Sequence, residues 1–267
     1  MTDASHLLRA YDEQLRDLAE VSSAESVERH GPLLWARFAG PHGFVTYRSL
    51  DGYAGERLDT LIAETVEHYA ADPAVTRVEW KTRGHDCVPE LHDRLVAHGF
   101  ERQDTESVMI GEARLLAVDV ELPPGVTLRR VASRADVEAV GRLHEEVFGD
   151  AFTDMTESLV ERLVSRSDDV EMWVAEADGK PVCAGRLEVV KGTEFAGLWG
   201  GGTVMEWRGK GIYRALTAAR ARSALERGVR YLQSDSTEYS RPILERSGLV
   251  KVTTTTPYLW IRRVAQA

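Results

Sequence analysis

The chain has 267 residues, 43% of them hydrophobic, and a formal net charge of −10. This length suits two compact domains, and the apolar content is enough for real cores. The acidic balance argues against nucleic acid as a partner, because nucleic-acid binding needs a basic face. No run of residues is long and apolar enough to cross a bilayer, so we expect no membrane partner.

The N-terminal residues are polar and acidic, which is typical of neither a signal peptide nor a transit peptide. The two cysteines, Cys87 and Cys183, stand far apart in the sequence, so no disulfide framework is expected. This pattern favours a reducing cytoplasm. His85, His92 and His98 lie near Cys87 without the spacing of metal ligands, and we predict no metal site.

In the first half, hydrophobic periodicity predicts alternating helices and strands. They are an opening helix marked by Leu7 to Leu18, a strand at 44–47, a helix whose apolar face runs from Leu58 to Tyr69, a strand at 75–81, a short helix at 89–98 and a strand at 108–110. Two prolines and a glycine at 121–125 then stop regular structure. We therefore predict a first domain over residues 1–120, a linker over 121–125 and a second domain over 126–267.

The second half begins with a strand at Val126 and two amphipathic helices, one carrying Val140, Leu143 and Val147. A hairpin over 170–190 follows, turning at Asp178-Gly179. The remaining predicted elements are a strand at 195–204, a helix at 212–227 ended by Gly228, a strand at 229–233, a short helix ending near 246 and a strand centred on 258–260.

The run Arg208-Gly209-Lys210-Gly211-Ile212 lies between that strand and that helix, and we call it the glycine turn. The first amides of a helix have no internal acceptor and the helix dipole favours negative charge there. Glycines let a phosphate approach the backbone, and Arg208 and Lys210 add positive charge. The turn therefore predicts a pyrophosphate site.

Two common phosphate motifs do not fit this turn. A P-loop needs Ser or Thr after the lysine, but Gly211 follows Lys210, and Val204 stands where its first glycine should be. The dinucleotide fingerprint fails because Arg214 occupies the place of its third glycine.

The turn resembles the signature Gln/Arg-x-x-Gly-x-Gly/Ala of the GNAT superfamily of acyl-CoA N-acyltransferases. Arg208, Gly209 and Gly211 fit, whereas Tyr213 departs from the last position. The segment 244–249 is similar to the superfamily's Leu-Tyr-Glu-Lys-Leu-Gly-Phe segment. The order and spacing of the predicted elements match this family from Val126 onward.

The first half resembles a reduced second copy, because Val78–Ile110 can be laid over Arg227–Leu259 without a gap. The resemblance implies an α/β (α+β) fold of two GNAT-like domains, each with a mixed, mostly antiparallel twisted sheet flanked by helices. Where the first copy would bind phosphate it has one glycine and two acids, Glu56 and Asp59. We expect no cofactor site there, since carboxylates repel phosphate.

The resemblance also implies which residues contact the co-substrate, acetyl-CoA. In this family the pantetheine arm lies along the strand before the turn, and an amide near Val204 supports the thioester oxygen. The implied contacts are Thr203, Val204, Met205, Arg208, Gly209, Lys210, Gly211, Ile212, Tyr213, Ser236 and Thr237. Gly200-Gly201-Gly202 indicates either close approach of a ligand or a bulge.

The catalytic groups are less defined by the sequence. Glu188, Glu194 and Asp235 are the candidate general bases, and the family often uses a glutamate on this strand or a neighbour. The family's usual acid, a tyrosine, falls on Leu244, which cannot donate a proton. Tyr213, Tyr239 and Ser236 are the nearby substitutes, and a thiolate can also take its proton from water.

The expected protein is a cytoplasmic N-acetyltransferase, monomeric or homodimeric, that moves an acetyl group from acetyl-CoA to a primary amine of a small molecule or peptide. The alternative is a catalytically weak acyl-CoA-binding or regulatory module. Leu244 favours that alternative, and the glycine turn fits both.

Overall fold

The structure is a computed structural model that describes residues 3–149, 156–164 and 169–262. Its helices are α1 (Ala4–Gln14), α2 (Glu56–Ala71), α3 (Leu91–Ala97), α4 (Ala113–Leu116), α5 (Arg134–Phe148), α6 (Thr156–Val164), α7 (Ile212–Glu226) and α8 (Arg241–Arg246). Its strands are β1 (Ser26–His30), β2 (Leu33–Arg37), β3 (His42–Tyr47), β4 (Arg77–Arg83), β5 (Glu101–Arg102), β6 (Glu106–Glu112), β7 (Val126–Arg130), β8 (Val170–Ala177), β9 (Lys180–Val189), β10 (Phe195–Thr203), β11 (Tyr231–Ser236) and β12 (Val250–Ile261).

The chain divides into two compact units that differ from the predicted domains. The larger unit comprises the described residues within 1–7 and 109–252, and the smaller unit comprises those within 8–108 and 253–267. The predicted boundary at 121–125 is corrected here, for two reasons. Met109, Ala113 and Leu116 pack in the core of the larger unit, and the second part of β12 pairs with β4, so that Tyr258 lies opposite Trp80.

In the larger unit the strand order is β6-β11-β10-β9-β8-β7. The hairpin predicted over 170–190 is confirmed, with Asp178 (φ 50°) and Gly179 (φ 72°) forming its turn. β7, β8, β9 and β10 pair antiparallel in succession, and β10 pairs parallel with β11 through the crossover helix α7. The mostly antiparallel mixed sheet agrees with the predicted fold class.

The helices of this unit lie on opposite faces of the sheet. Gly185 adjoins Arg220 of α7, whereas Glu188, three residues on, bonds Arg162 of α6. Alternate residues of a strand point to opposite faces, so Cys183, Gly185 and Leu187 face α7. Arg186 and Glu188 therefore face α5 and α6. The N-terminus of α5 is fixed by a capping box between Ser133 and Asp136.

The smaller unit repeats part of this order. Its strands run β1-β2-β3-β4-β12, with β5 also paired to β12. β2 and β3 are antiparallel, and β3 pairs parallel with β4 through α2, as β9, β10, α7 and β11 do in the larger unit. Its core is aromatic and aliphatic, and Trp80 and Leu58 are fully buried. The repeated order supports the tandem interpretation, while the reduced nature of this copy stays a prediction.

Candidate active site

The glycine turn has the backbone geometry of an anion site. β10 ends at Thr203, a 3-10 turn covers Met205–Trp207, and Gly211 caps α7. Gly209 (φ 74°) and Gly211 (φ 82°) are both left-handed, and among the described residues other than each glycine and its neighbours in the chain, no heavy atom lies within 4 Å of where their Cβ atoms would stand. The first amides of the 15-residue helix α7 therefore face an open, exposed turn.

The two cations of the turn play different roles. Arg208 Nε donates to the Thr203 carbonyl over 3.0 Å, which ties the turn to the end of β10. Lys210 Nζ lies 4.4 Å from the centre of the Trp207 ring, a cation–π contact at the protein surface. Both charges stand beside the positive end of α7, an arrangement that favours an anionic ligand.

β10 and β11 separate as they approach the turn. Their parallel pairing joins Phe195–Gly197 to Tyr231–Gln233, yet β10 continues to Thr203 and β11 to Ser236. Ser234 Oγ still donates to the Leu198 carbonyl over 3.1 Å. Beyond that bond the described residues of the two strands show no ladder pairing, an arrangement that would let an extended ligand add to β10 as a strand does.

The three consecutive glycines form a β-bulge. β9 pairs Arg186 with Trp199 and Ala184 with Gly202, so β10 holds one extra residue between them. A Cβ on Gly201 would stand 2.8 Å from the Tyr213 ring, and one on Gly202 would stand 2.8 Å from Phe148. The glycines thus let side chains of α5 and α7 approach the strand from its two faces.

Two polar residues that the sequence did not single out, His144 and Arg186, lie beside Gly200 in the bulge. His144 Nε2 donates to the Gly200 carbonyl over 2.8 Å. Burial lowers the pKa of His144 to about 4, with Arg186 acting in the same direction and the Gly200 carbonyl against it. His144 is therefore neutral at pH 7. The available signals were a histidine in the apolar face of α5 and an arginine in an apolar strand.

On the α7 face of the bulge lies a second buried arginine. Arg220 is fully buried and donates to the Arg186 carbonyl over 3.0 Å and to Thr217 Oγ1 over 3.3 Å. Burial raises the pKa of the nearby Cys183 thiol to about 11, although the Thr203 hydroxyl and Arg220 act the opposite way. The thiol is therefore protonated, accepting from Thr203 Oγ1 over 3.1 Å, and is not a nucleophile.

The amide of Val204 itself is already used within the sheet. Its N–H donates to the Val182 carbonyl over 3.0 Å. The expectation that an amide near Val204 supports the thioester oxygen stays a prediction for the neighbouring residues. Thr203 and Val204 are buried, whereas Met205 is 73% exposed beside the turn.

The three candidate bases occupy different places. Glu194 precedes Thr203 by nine residues, about 30 Å along an extended strand, and it pairs with Arg230 over 3.2 Å. Burial raises the pKa of Glu188, but Arg186 and Arg162 outweigh it and hold the pKa below its usual range. Glu194 therefore lies far from the glycine turn, and Glu188 is held in ion pairs with Arg162 and Arg186.

Asp235 is the candidate base that lies on the diverging part of β11. Gln233 pairs with Gly197, which pairs with Glu188, so Asp235 shares the α5-facing side of the sheet with Glu188. Its Oδ1 accepts from Gln233 Nε2 over 2.7 Å. The hydrogen bond holds a half-buried carboxylate beside the opening between the strands.

The candidate general acids also lie in different places in the fold. Burial raises the pKa of Tyr213, with Arg220 acting the opposite way, and its ring packs under Gly201. Tyr239 is 92% exposed in the loop after β11. Leu244 is buried at 1% exposure within the core of the larger unit.

Ser236 and Thr237, expected near the cofactor, are the last residue of β11 and the residue that follows it. Ser236 is buried and its Oγ donates to Ser234 Oγ over 3.3 Å. Thr237 is exposed, and its Oγ1 lies 3.4 Å from Ser240 Oγ. Both therefore lie at the carboxyl end of β11, the strand that borders the opening.

The corresponding turn of the smaller unit holds one of the protein's own carboxylates. Gly55 (φ 55°) caps α2, and its N–H donates to Glu90 Oε2 over 3.3 Å. Glu90 also accepts from Arg94 Nε over 2.8 Å, and Arg94 pairs with Asp59. An internal anion thus stands where a phosphate would bind.

Over residues 3–149, 156–164 and 169–262, no group of three His, Cys, Asp or Glu side chains converges as metal ligands. Across those same residues no helix combines the length and apolar character needed to cross a membrane.

A family model described as an acetyltransferase (GNAT) domain matches residues 112–234. The match runs from the end of β6 into β11 and includes the glycine turn and the bulge. Comparison with curated protein sequences gives no significant match.

Solved structures with the same fold are similar over most of the chain. A GCN5-related N-acetyltransferase from Kribbella flavida has a TM-score of 0.68 at 19% identity, covering 97% of this chain and 95% of its own. One from Sphaerobacter thermophilus has a TM-score of 0.62 at 18% identity, covering 88% and 78%. A tandem GNAT protein from the clavulanic acid biosynthesis pathway has a TM-score of 0.60 at 17% identity, covering 89% and 82%. At these identities the likeness shows the fold.

Proposed function

We propose that the protein transfers an acetyl group from acetyl-CoA to a primary amine of a small molecule or peptide, since residues 112–234 match a family model described as an acetyltransferase (GNAT) domain. The observation that carries this proposal is the glycine turn at the N-terminus of α7, beside the opening between β10 and β11. The turn suits a pyrophosphate, and the open edge of β10 suits an extended pantetheine arm.

The residues of the larger unit divide the work of binding. The backbone amides that follow Gly211, with Arg208 and Lys210, would hold the pyrophosphate. Thr203 to Met205 would line the path of the arm, and Ser236 and Thr237 would border it from β11. The thioester would then lie beside the bulge, between His144 and Tyr213.

The chemistry also needs a neutral amine and a protonated leaving thiolate. Asp235 is the carboxylate best placed to take a proton from the incoming ammonium, directly or through water. Glu188 is a weaker base, because its two arginine partners stabilise its charged form. Tyr239, exposed on the loop after β11, is the tyrosine most able to reach a leaving thiolate.

The alternative function is an acyl-CoA-binding module with little turnover. It is favoured by Leu244, a buried apolar residue at the position of the family's usual acid. Loss of a tyrosine slows thiolate departure but leaves the phosphate site intact, so binding and turnover must be measured separately.

The test combines calorimetric titration of acetyl-CoA with a panel of primary amines, read by release of the free CoA thiol. Binding with amine-dependent thiol release supports the transferase. Binding without release for any amine favours the binding module. No binding at millimolar acetyl-CoA overturns both.

A further inference from the structure

A cavity of about 380 Å³ lies beside α7 in the larger unit. It is enclosed by α7, by the strands β7 and β8, and by the segment that leads from α4 to β7. Its lining residues all lie between 120 and 226, so the cavity is contained in that unit. Protein sites for small molecules measure about 300–1,000 Å³, and this volume is therefore enough for a ligand of modest size.

One end of the cavity is apolar. It is lined by Leu128 of β7, by Leu122 of the connecting segment, and by Ala215 and Ala219 of α7. Ala215 follows Gly211 by about one helical turn, so this is the end nearer the glycine turn. Because the two alanines have short side chains, they leave space between the helix and the strand. This end therefore suits an apolar group.

The other end of the cavity carries charges of both signs. Arg130 of β7 and Arg222 of α7 line it, with side chains that are 50% and 45% exposed. Glu226 lies about one turn after Arg222 and is exposed as well. Arg222 Nη1 donates to the Val118 carbonyl over 2.9 Å, which ties the connecting segment to α7. The cavity therefore opens to solvent between two cations and a carboxylate.

A buried carboxylate holds the wall of this charged end in place. Glu171 is 7% exposed, and it accepts from Ser223 Oγ over 2.7 Å and from Trp173 Nε1 over 3.0 Å. Arg130 Nη1 pairs with Glu171 over 3.1 Å, and Arg130 Cζ lies 5.1 Å from the centre of the Trp173 ring. Arg130, Trp173 and Ser223 are thus positioned before any ligand binds, which lowers the entropy cost of binding.

We propose that this cavity binds a free α-amino acid with an apolar side chain. The side chain would occupy the apolar end, the carboxylate would accept from Arg130 and Arg222, and the ammonium would pair with Glu226. A zwitterion is favoured because Glu226 repels a simple anion and the two arginines repel a simple cation.

An α-amino acid carries its two charges on one carbon, which suits a wall where Arg222 and Glu226 are neighbours on the helix surface. The inference goes beyond the proposed function, because it assigns a second site that shares no lining residue with the glycine turn.

The first test is calorimetric titration of the full chain with L-leucine, L-methionine and L-phenylalanine. We expect one site per chain, with a Kd of about 1 mM or lower for at least one of them. For the amino acid that binds best, the matched carboxylic acid lacks the ammonium and the matched amine lacks the carboxylate. Each should bind about 10-fold more weakly, because one charge-assisted contact is lost. Glycine, which has no apolar group, should not bind.

The second test assigns the binding to the charged end of this cavity. Glu226→Gln and Arg222→Met should each weaken binding of the amino acid about 10-fold. Glu138→Gln and Arg134→Met remove exposed charges of α5 and are the matched controls, so they should leave the Kd unchanged. Gly211→Glu should also keep the wild-type Kd, because the amino acid does not use the glycine turn.

The third test fills the apolar end. Ala219→Leu should abolish binding while the melting temperature stays at or above that of the wild type, because the leucine occupies empty space. Ala221, two residues on, is fully buried in the core of the larger unit. Ala221→Leu is therefore the control that should lower the melting temperature by overpacking. An equal loss of stability in the two variants overturns the inference, since it shows that no space lies beside Ala219.

Failure of all three amino acids to bind at millimolar concentration overturns this inference and leaves the proposed function standing. Binding that is unchanged in Glu226→Gln, Arg222→Met and Ala219→Leu overturns it too, because the amino acid then binds elsewhere. A matched carboxylic acid or amine that binds as tightly as the amino acid also contradicts it, since the site would not recognise a zwitterion.

Discussion

The neutral imidazole of His144 extends from α5 to the bulge of β10, where it donates to the Gly200 carbonyl. Its ordinary pKa near 6.5 falls to about 4 in the folded protein. Between these values the unfolded chain holds more protons than the folded one, so stability from this group is complete above about pH 6.5 and is lost as the pH falls to about 4. Above pH 6.5, the depressed pKa of His144 therefore contributes about 3 kcal/mol to the free energy of unfolding, and this contribution is lost by about pH 4.

We therefore expect His144→Gln to flatten the loss of stability between pH 6.5 and 4 relative to the wild type. Glutamine keeps an N–H that can donate to the Gly200 carbonyl but does not titrate. The free energy of unfolding from urea titrations across this range measures the difference. Parallel curves for the two proteins would contradict the assignment of a depressed pKa to His144.

Leu244 stands at the sequence position of the family's usual acid, a tyrosine, but in the structure it is a packed core residue. It lies at 1% exposure in a cluster with Val229 and Leu249. Leu244→Ala should lower the free energy of unfolding by about 2–5 kcal/mol through the cavity it leaves. Leu244→Tyr should also destabilise, because the larger ring overpacks the site. Denaturant unfolding and turnover are measured on both variants. A tyrosine variant that keeps its stability and exceeds wild-type turnover would show that the site retains space for a catalytic phenol.

Among the elements, α7 has glycines in the left-handed region at both ends, Gly211 (φ 82°) and Gly228 (φ 77°), each with open space around its Cβ position. Gly211→Glu and Gly228→Glu therefore carry similar backbone strain, about 1–2 kcal/mol, but only the first places a carboxylate at the helix N-terminus.

Acetyl-CoA at 100 times its Kd should add about 2.7 kcal/mol to the stability of the wild type and of Gly228→Glu, and nothing to Gly211→Glu. Thermal unfolding with and without the ligand measures this. If Gly211→Glu gains as much as its control, the glycine turn does not bind the pyrophosphate.

The elements predicted from sequence were those with a local signal. The glycine turn, the hairpin at Asp178-Gly179 and the face of α2 follow from turn chemistry and periodicity. The β1–β2 hairpin was missed, since β1 is nearly all exposed and Leu33 to Ala36 are buried in succession without alternation. β11 was placed two residues early because it ends in Ser234-Asp235-Ser236, which are polar but line the opening beside β10. Arg186 and His144 could not be assigned to the bulge, because the register that joins them is non-local.

For the whole molecule, we expect one acyl-CoA per chain. In the turn of the smaller unit the Gly55 amide already donates to Glu90, whereas the turn of the larger unit carries the cations Arg208 and Lys210. Calorimetric titration of the full chain should give a stoichiometry of one, falling to zero in Gly211→Glu. A stoichiometry of two, or of one in Gly211→Glu, would place a second site in the smaller unit.

The division of the chain between units also bears on how the protein is made. Residues Thr255–Ile261 of β12 pair with β4 within the smaller unit. Residues 109–252, which belong to the larger unit, lie in the sequence between the two segments of the smaller unit. When residues 8–108 leave the ribosome, β4 still lacks the strand with which it will pair, and this strand emerges only after residues 109–252 have been made. The smaller unit therefore cannot finish folding during synthesis before its larger neighbour is complete. A gene fragment cut at 121–125 would separate β4 from β12 and leave the sheet of the smaller unit without that strand.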